Sequence, residues 1–162
     1  MSLDYTIYNK QIAKQKELGR LDALNLRSRS YELDGTQIID EEKKIPIFDS
    51  NKDYSSWSIG SPVKELIDNE FQVFKLLQPY NAANYQGTPA TLPAIWSICH
   101  TTNPNKAKPY IAPNGTSGMW MRDECCIENN HVWQSNYDNG VYSPTEYQNN
   151  WTDLGTIEEV GI

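Results

Sequence analysis

Apolar residues recur at three- and four-residue spacing in the first part of the chain: Tyr5, Tyr8 and Ile12, then Leu18, Leu21, Leu24 and Leu26. That spacing predicts a helix over residues 4–27, with Asp4 able to cap its start. Gln15 and Gly19 interrupt the stripe. A strict heptad coiled coil is therefore disfavoured, and a helix packed on the body or on a neighbouring subunit is expected. Next, Tyr31–Ile39 reads as two extended segments around Asp34-Gly35, a dipeptide suited to a tight hairpin. Residues 40–56 are charged and rich in turn formers, and read as a linker.

Beyond residue 56 the pattern changes to short strands, and it does so twice. The first unit offers Pro62–Leu66, a turn at Asp68-Asn69 and a return strand at Phe71–Leu76. The second offers Met119–Arg122 and Cys125–Ile127, a turn at Glu128-Asn129-Asn130 and a return strand at His131–Ser135. Each unit has an apolar–aromatic pair, Val73-Phe74 or Val132-Trp133, and then a loop. Each loop carries a proline, Pro89 or Pro144, and each unit closes on a tryptophan, Trp96 or Trp151, at the same distance from that proline. Such an internal repeat constrains the fold before any single motif does. The organisation expected is a helix over 1–30, a hairpin and linker over 31–56, a unit over 57–99, a connector over 100–113, a unit over 114–155 and a tail over 156–162. The fold class expected is mainly β, an N-terminal helix followed by two small three-stranded units.

Composition narrows the picture. Hydrophobic residues are 38% of the 162, but five tryptophans and ten tyrosines are present, so aromatic rings must supply much of the burial. The net charge of −7 opposes general binding to nucleic-acid phosphates, which needs clustered Lys and Arg. No apolar run approaches membrane-span length, so membrane insertion is not expected, and no charged-then-apolar leader pattern is visible. Three cysteines, Cys99, Cys125 and Cys126, do not suit a disulfide framework and are expected as reduced thiols, with a bridge from Cys99 to either of the others as the alternative.

The second unit carries Asn130-x-Val132-Trp133-x-Ser135-x-x-Asp138-Asn139-x-Val141-Tyr142-Ser143-Pro144-x-x-Tyr147-x-x-x-Trp151. This run resembles the carbohydrate-binding modules of families 5 and 12, the type-3 chitin-binding group, in the versions found in phage and prophage tail-associated proteins. The first unit resembles them more loosely, through Gly60-x-x-Val63, Val73-Phe74, the Tyr80-to-Pro89 loop and Pro93-Ala94-x-Trp96. Together the units span about 57–155, and the N-terminal third lies outside the resemblance. It implies a small twisted three-stranded sheet in each unit and a place in the tail of a phage or prophage virion, with the chain made in a bacterial cytoplasm. The partners implied are a polysaccharide ligand and other tail proteins, and a homo-oligomer is expected.

Aromatic rings suit such a ligand because a pyranose presents an apolar C–H face to a rigid, partly exposed ring. Trp96 and Trp151 are expected as core, since a small sheet needs large side chains at its centre. Trp120, Trp133, Tyr142 and Tyr147 are expected at the carbohydrate site, with Asp138, Asn139 and Asn130 binding hydroxyls and Tyr85 as the counterpart in the first unit. The pairs Cys99-His100 and Cys125-Cys126, with His131, lack the loop spacing that wraps zinc, so no metal or cofactor is expected. Adjacency of Cys99 and His100 does not build a nucleophile–base pair. Asp123, Glu124, Asp138 and Asp153 read as solvated charge rather than a glycosidase pair. The chain is thus expected to be non-catalytic and to bind host cell-surface polysaccharide; the alternative is a structural tail-assembly protein without glycan binding.

Overall fold

The computed structural model describes residues 3–162. Helix α1 runs over Leu3–Arg29, close to the span its periodicity predicts. Little of it touches the body. Leu26 and Ser30, at and just beyond its C-terminal end, are buried, whereas most of the residues between Tyr5 and Asn25 face solvent.

The expected hairpin at 31–39 is a second helix instead, α2, over Gly35–Asp40. The Asp34 carboxylate accepts the Gln37 N–H at 2.8 Å, and the Asp34 N–H donates to Gln37 Oε1 at 3.0 Å. This reciprocal capping box outweighs the hairpin signal of Asp-Gly. Gly35 serves close approach rather than a turn. A Cβ there would lie 2.3 Å from the His100 carbonyl oxygen. Residues 40–56 are not a free linker either. Phe48 N–H donates to the Lys64 carbonyl and Lys64 N–H to that of Pro46, while Tyr54 N–H bonds the Tyr80 carbonyl. Tyr54 is fully buried.

The first sheet has order β1-β2-β3, with β1 at Pro62–Ile67, β2 at Glu70–Leu76 and β3 at Trp96–Ile98, all antiparallel. Alternation along β2 serves two cores. Phe74 and Leu76 join Tyr54, Val63, Tyr80 and Trp96 on one face. Val73 faces the other way, into Leu26, Ile38, Ile39, Ile45 and Cys99, so the end of α1 and all of α2 cover the back of the sheet.

The second sheet has four strands rather than three, in order β4-β5-β6-β7: Lys108–Pro109, Cys125–Glu128, His131–Ser135 and Trp151–Thr156. The extra strand, β4, comes from the expected connector and pairs parallel with β5. Cys125 and Cys126, neighbours on β5, point to opposite faces: the first packs with Ala107 and Val132, the second with Trp120 and Trp151. The expected tail also belongs to this unit. Thr156 caps a short helix, α3 (Ile157–Val160), and Val160 packs beside Leu154. Helix, counting 3-10 turns, occupies about 34% of the chain and strand about 26%, so the composition is mixed although both units are built on sheets.

Polar contacts join the units. Lys108 Nζ donates to Glu42 Oε1 and to the Phe71 carbonyl, each at 2.7 Å, and buried Gln72 donates to the Pro109 carbonyl at 2.9 Å.

Candidate functional site

The strand turns place the loops. Asn129 and Asn130 have φ of 52° and 64°, and Asp68 and Asn69 have 50° and 67°. These are two-residue left-handed turns, which Asn and Asp tolerate and which match the twist of paired strands. Past β6, the chain leaves the sheet and returns as β7 through residues 136–150, and the candidate site lies on this excursion.

Its centre is a capped turn at Ser143-Pro144-Thr145-Glu146. Ser143 Oγ accepts the Glu146 N–H at 3.2 Å, Glu146 Oε1 accepts the Ser143 N–H at 3.4 Å, and Tyr147 N–H closes the turn on the Ser143 carbonyl at 2.9 Å. Pro144 follows the cap, where a helical turn tolerates a missing N–H. Tyr142 therefore precedes the cap and Tyr147 follows one turn later, the two positions of a hydrophobic staple. Their rings meet edge to face, with centroids 6.4 Å apart and planes at 65°. An ordinary staple buries its pair, but here Tyr142 is 53% exposed and Tyr147 48%. With Glu146 and Asn150 they line an open cleft of about 340 Å³.

The support beneath is stiff. Trp151, buried, donates its indole N–H to the Tyr142 carbonyl at 3.1 Å. The β5–β6 turn holds the loop from the other side, with Glu128 Oε2 accepting the Thr145 N–H at 3.0 Å and Asn129 donating to Thr145 Oγ1 at 2.9 Å.

The other expected site residues fall elsewhere. Trp120 is 2% exposed and offers no free face. His100 stacks on it with centroids 3.6 Å apart and planes at 6°, and Tyr110 lies nearly parallel at 5.5 Å. The physical reason is the supposed connector, which runs back along the sheet and brings both rings to Trp120. The Trp120 indole donates to the Ile111 carbonyl at 3.2 Å. Trp133 is half-buried at the edge of the Trp120–Cys126–Trp151 core, its N–H given to the Glu128 carbonyl at 3.1 Å. Asp138 is exposed, but its carboxylate accepts the Arg122 N–H at 3.0 Å, which makes it a loop fastener. Asn139 takes φ of 60° in the same loop. Tyr85 is 56% exposed in the first unit, edge-on to Tyr80 at 5.4 Å. Trp96 and Trp151 are core, as expected of the closing tryptophans.

Glu146 and Asn150 were not singled out by sequence. The Ser-x-x-Glu pattern at 143–146, flanked by Tyr142 and Tyr147, is the signal that would have found the cleft. A larger cleft, about 550 Å³, lies where α2, β2 and the connector meet, and is lined largely by Lys and Glu. Two ion pairs lie within it, Lys108 with Glu42 and Lys44 with Glu41.

The cysteines are free and buried. Burial pushes the Cys99 thiol up to about 12 and Cys125 to about 11, and raises Cys126 further, so all three stay protonated and weakly nucleophilic near neutral pH. Among the described residues no three His, Cys, Asp or Glu side chains converge as metal ligands. His100 Nδ1 lies 3.2 Å from Glu124 Oε1, and its buried Nε2 meets no partner among the described residues. Among the described residues no helix is long and apolar enough to cross a membrane.

No protein-family model matches the sequence, and no curated protein matches it either.

Proposed function

We propose that the protein is a non-catalytic carbohydrate-binding protein whose second sheet unit engages polysaccharide at the Tyr142–Tyr147 cleft. One observation carries this reading: two half-exposed tyrosine rings are fixed at 65° by a capped turn beside a carboxylate and an amide. A pyranose C–H face stacks on one ring, and Glu146 and Asn150 meet ring hydroxyls. Rings held before the ligand arrives lose little freedom on binding, which favours a small contact. The resemblance of residues 130–151 to family 5 and 12 modules supports the same chemistry and suggests the setting, the tail of a phage or prophage particle attaching to host cell-surface polysaccharide.

A second reading, a structural tail protein without glycan binding, draws support from the largely bare α1. Titration of the full chain with host cell-wall polysaccharide separates the two. Saturable binding that disappears in Tyr142→Ala/Tyr147→Ala supports the proposal. No binding by the wild type, or equal binding by the double variant, overturns it.

A further inference from the structure

A cleft between the C-terminal part of α1 and the segment 46–57 gathers cations that no carboxylate answers among the described residues. Arg20, Leu24 and Arg27, at three- and four-residue steps, share one face of α1. Ile47, Lys52 and Trp57 line the same cleft, about 420 Å³ in volume and within the range of small-molecule sites.

Arg27 is its centre. The guanidinium carbon lies 4.1 Å from the centroid of the Trp57 ring, and Lys52 Nζ lies 5.6 Å from the same centroid. Trp57 stands edge to face on fully buried Tyr54, with centroids 4.7 Å apart, so the ring that carries both cations is held in place. The arginines on either side along α1 are satisfied: Arg20 bonds Glu17 and Arg29 bonds Glu41, each at 2.6 Å. Among the described residues, Arg27 and Lys52 form no ion pair. Asp49 also lines the cleft, but its carboxylate accepts the Asn51 N–H at 2.9 Å and pairs with neither cation. Arg27 is half-buried, and that burial, with no anion to offset it, pulls the guanidinium below its ordinary value.

Packing explains part of this arrangement. Arg27 over Trp57 fastens α1 to the segment. Lys52 lies in the same segment as Trp57 and fastens nothing to α1. Two like charges on one ring repel, and an anion beside both removes that cost. A guanidinium receives a carboxylate or phosphate through two parallel N–H bonds, and an ammonium adds a point charge. Next to the cations, Ile47 is 60% exposed and Leu24 36%, an apolar wall for the C–H face of a sugar ring. Two cations match a single anionic group and not the long phosphate track that the net charge of −7 opposes. We infer that this cleft is a second binding site, taking an acidic sugar residue whose carboxylate or phosphate lies on Arg27 and Lys52. The sugar half rests on the carbohydrate reading above; the anion half rests on α1 and the segment 46–57 alone.

The test follows the full chain by proton–nitrogen NMR in separate titrations with glucuronate, glucose phosphate, glucose and inorganic phosphate. The Arg27 Nε–H and Trp57 indole N–H signals are expected to shift saturably with glucuronate or glucose phosphate, and the tighter of the two names the anion. Glucose is expected to leave them in place. Affinity is expected to fall about tenfold in Arg27→Gln and about threefold in Lys52→Gln. It should also fall as salt rises, because exposed charges are screened. Arg27→Lys keeps the charge, loses the fork and should retain only part of the binding. The Lys52 side chain is exposed, so Lys52→Gln reads the site even where Arg27→Gln loosens α1. No saturable shift with either acidic sugar overturns the inference, as do shifts that both Gln variants leave unchanged. Inorganic phosphate binding as tightly as the acidic sugars overturns the assignment to a sugar. In Tyr142→Ala/Tyr147→Ala the same signals should still respond to acidic sugar, so failure at one cleft is distinguishable from failure at the other.

Discussion

Both sheet units make a left-handed two-residue turn, at Asp68-Asn69 and at Asn129-Asn130, and both set a proline-led capped turn ahead of a buried tryptophan. In the first unit the cap is Thr88, whose N–H donates to Thr91 Oγ1 at 2.8 Å, and Gly87 and Leu92 flank the turn. In the second the cap is Ser143, and Tyr142 and Tyr147 flank it. The closing indoles also differ. Trp96 gives its N–H to the Tyr80 hydroxyl, inside an aromatic cluster with Tyr54 and Phe48. Trp151 gives its N–H to the backbone of Tyr142 and so braces the cleft itself. The shared parts are those a small sheet needs to fold. The rings flanking the cap are what the second unit has and the first lacks.

The largest effects should fall on the shared parts. Trp96→Ala and Trp151→Ala should each cost about 3–5 kcal/mol, read as loss of the thermal transition by circular dichroism. Trp151→Ala should also weaken polysaccharide binding about tenfold, because it releases Tyr142. Trp120→Ala should cost about 3 kcal/mol or more, as expected for a fully packed indole, and a loss below about 1 kcal/mol would contradict its place between His100 and Tyr110.

A transplant of the staple into the first unit should fail. Gly87 has φ of 123°, and a Cβ there would lie 2.8 Å from Thr91 Oγ1. Gly87→Tyr should therefore destabilise by about 1–3 kcal/mol without creating a binding site. At the cleft, Tyr142→Ala should weaken polysaccharide binding about tenfold, roughly 1.4 kcal/mol, while Tyr85→Ala should leave it unchanged. Equal losses for both would erase the distinction between the units.

The smallest effect concerns the seam near α1, away from both units' turns. The Arg29 guanidinium bonds both oxygens of Glu41 at 2.6 Å, and Lys44 adds a third bond at 2.8 Å. These hold the Glu41 carboxyl down at about 2 from an ordinary 4.5. Because the folded value lies below the unfolded one, this stabilisation is full above about 4.5 and is lost as pH falls towards 2. Partly exposed ion pairs contribute about 1 kcal/mol or less. Glu41→Gln should lower the midpoint temperature slightly at neutral pH and flatten its decline in that acid window.

Legibility in the sequence followed the range of the interactions. The strand turns, the return strands and the burial of Trp96 and Trp151 were readable because Asn and Asp tolerate positive φ and because alternation and indole size act locally. The Tyr142–Tyr147 pair was readable as aromatic residues, but its cleft needed the Ser143–Glu146 cap to be recognised. Asp34-Gly35 misled because one dipeptide fits two local codes, and only the Gln37 side chain and the His100 backbone decide between them. Trp120 misled because its two covering rings, His100 and Tyr110, arrive from a segment whose turn chemistry gives no sign that it pairs as a strand.

The sequence by itself determined the α1 helix, the two turns and the closing indoles, all consequences of local periodicity and residue size. Tertiary structure alone decided which aromatics reach solvent. A ring's exposure depends on what packs over it: His100 and Tyr110, either side of β4, cover Trp120, while the Ser143–Glu146 cap and Trp151 hold Tyr142 and Tyr147 open.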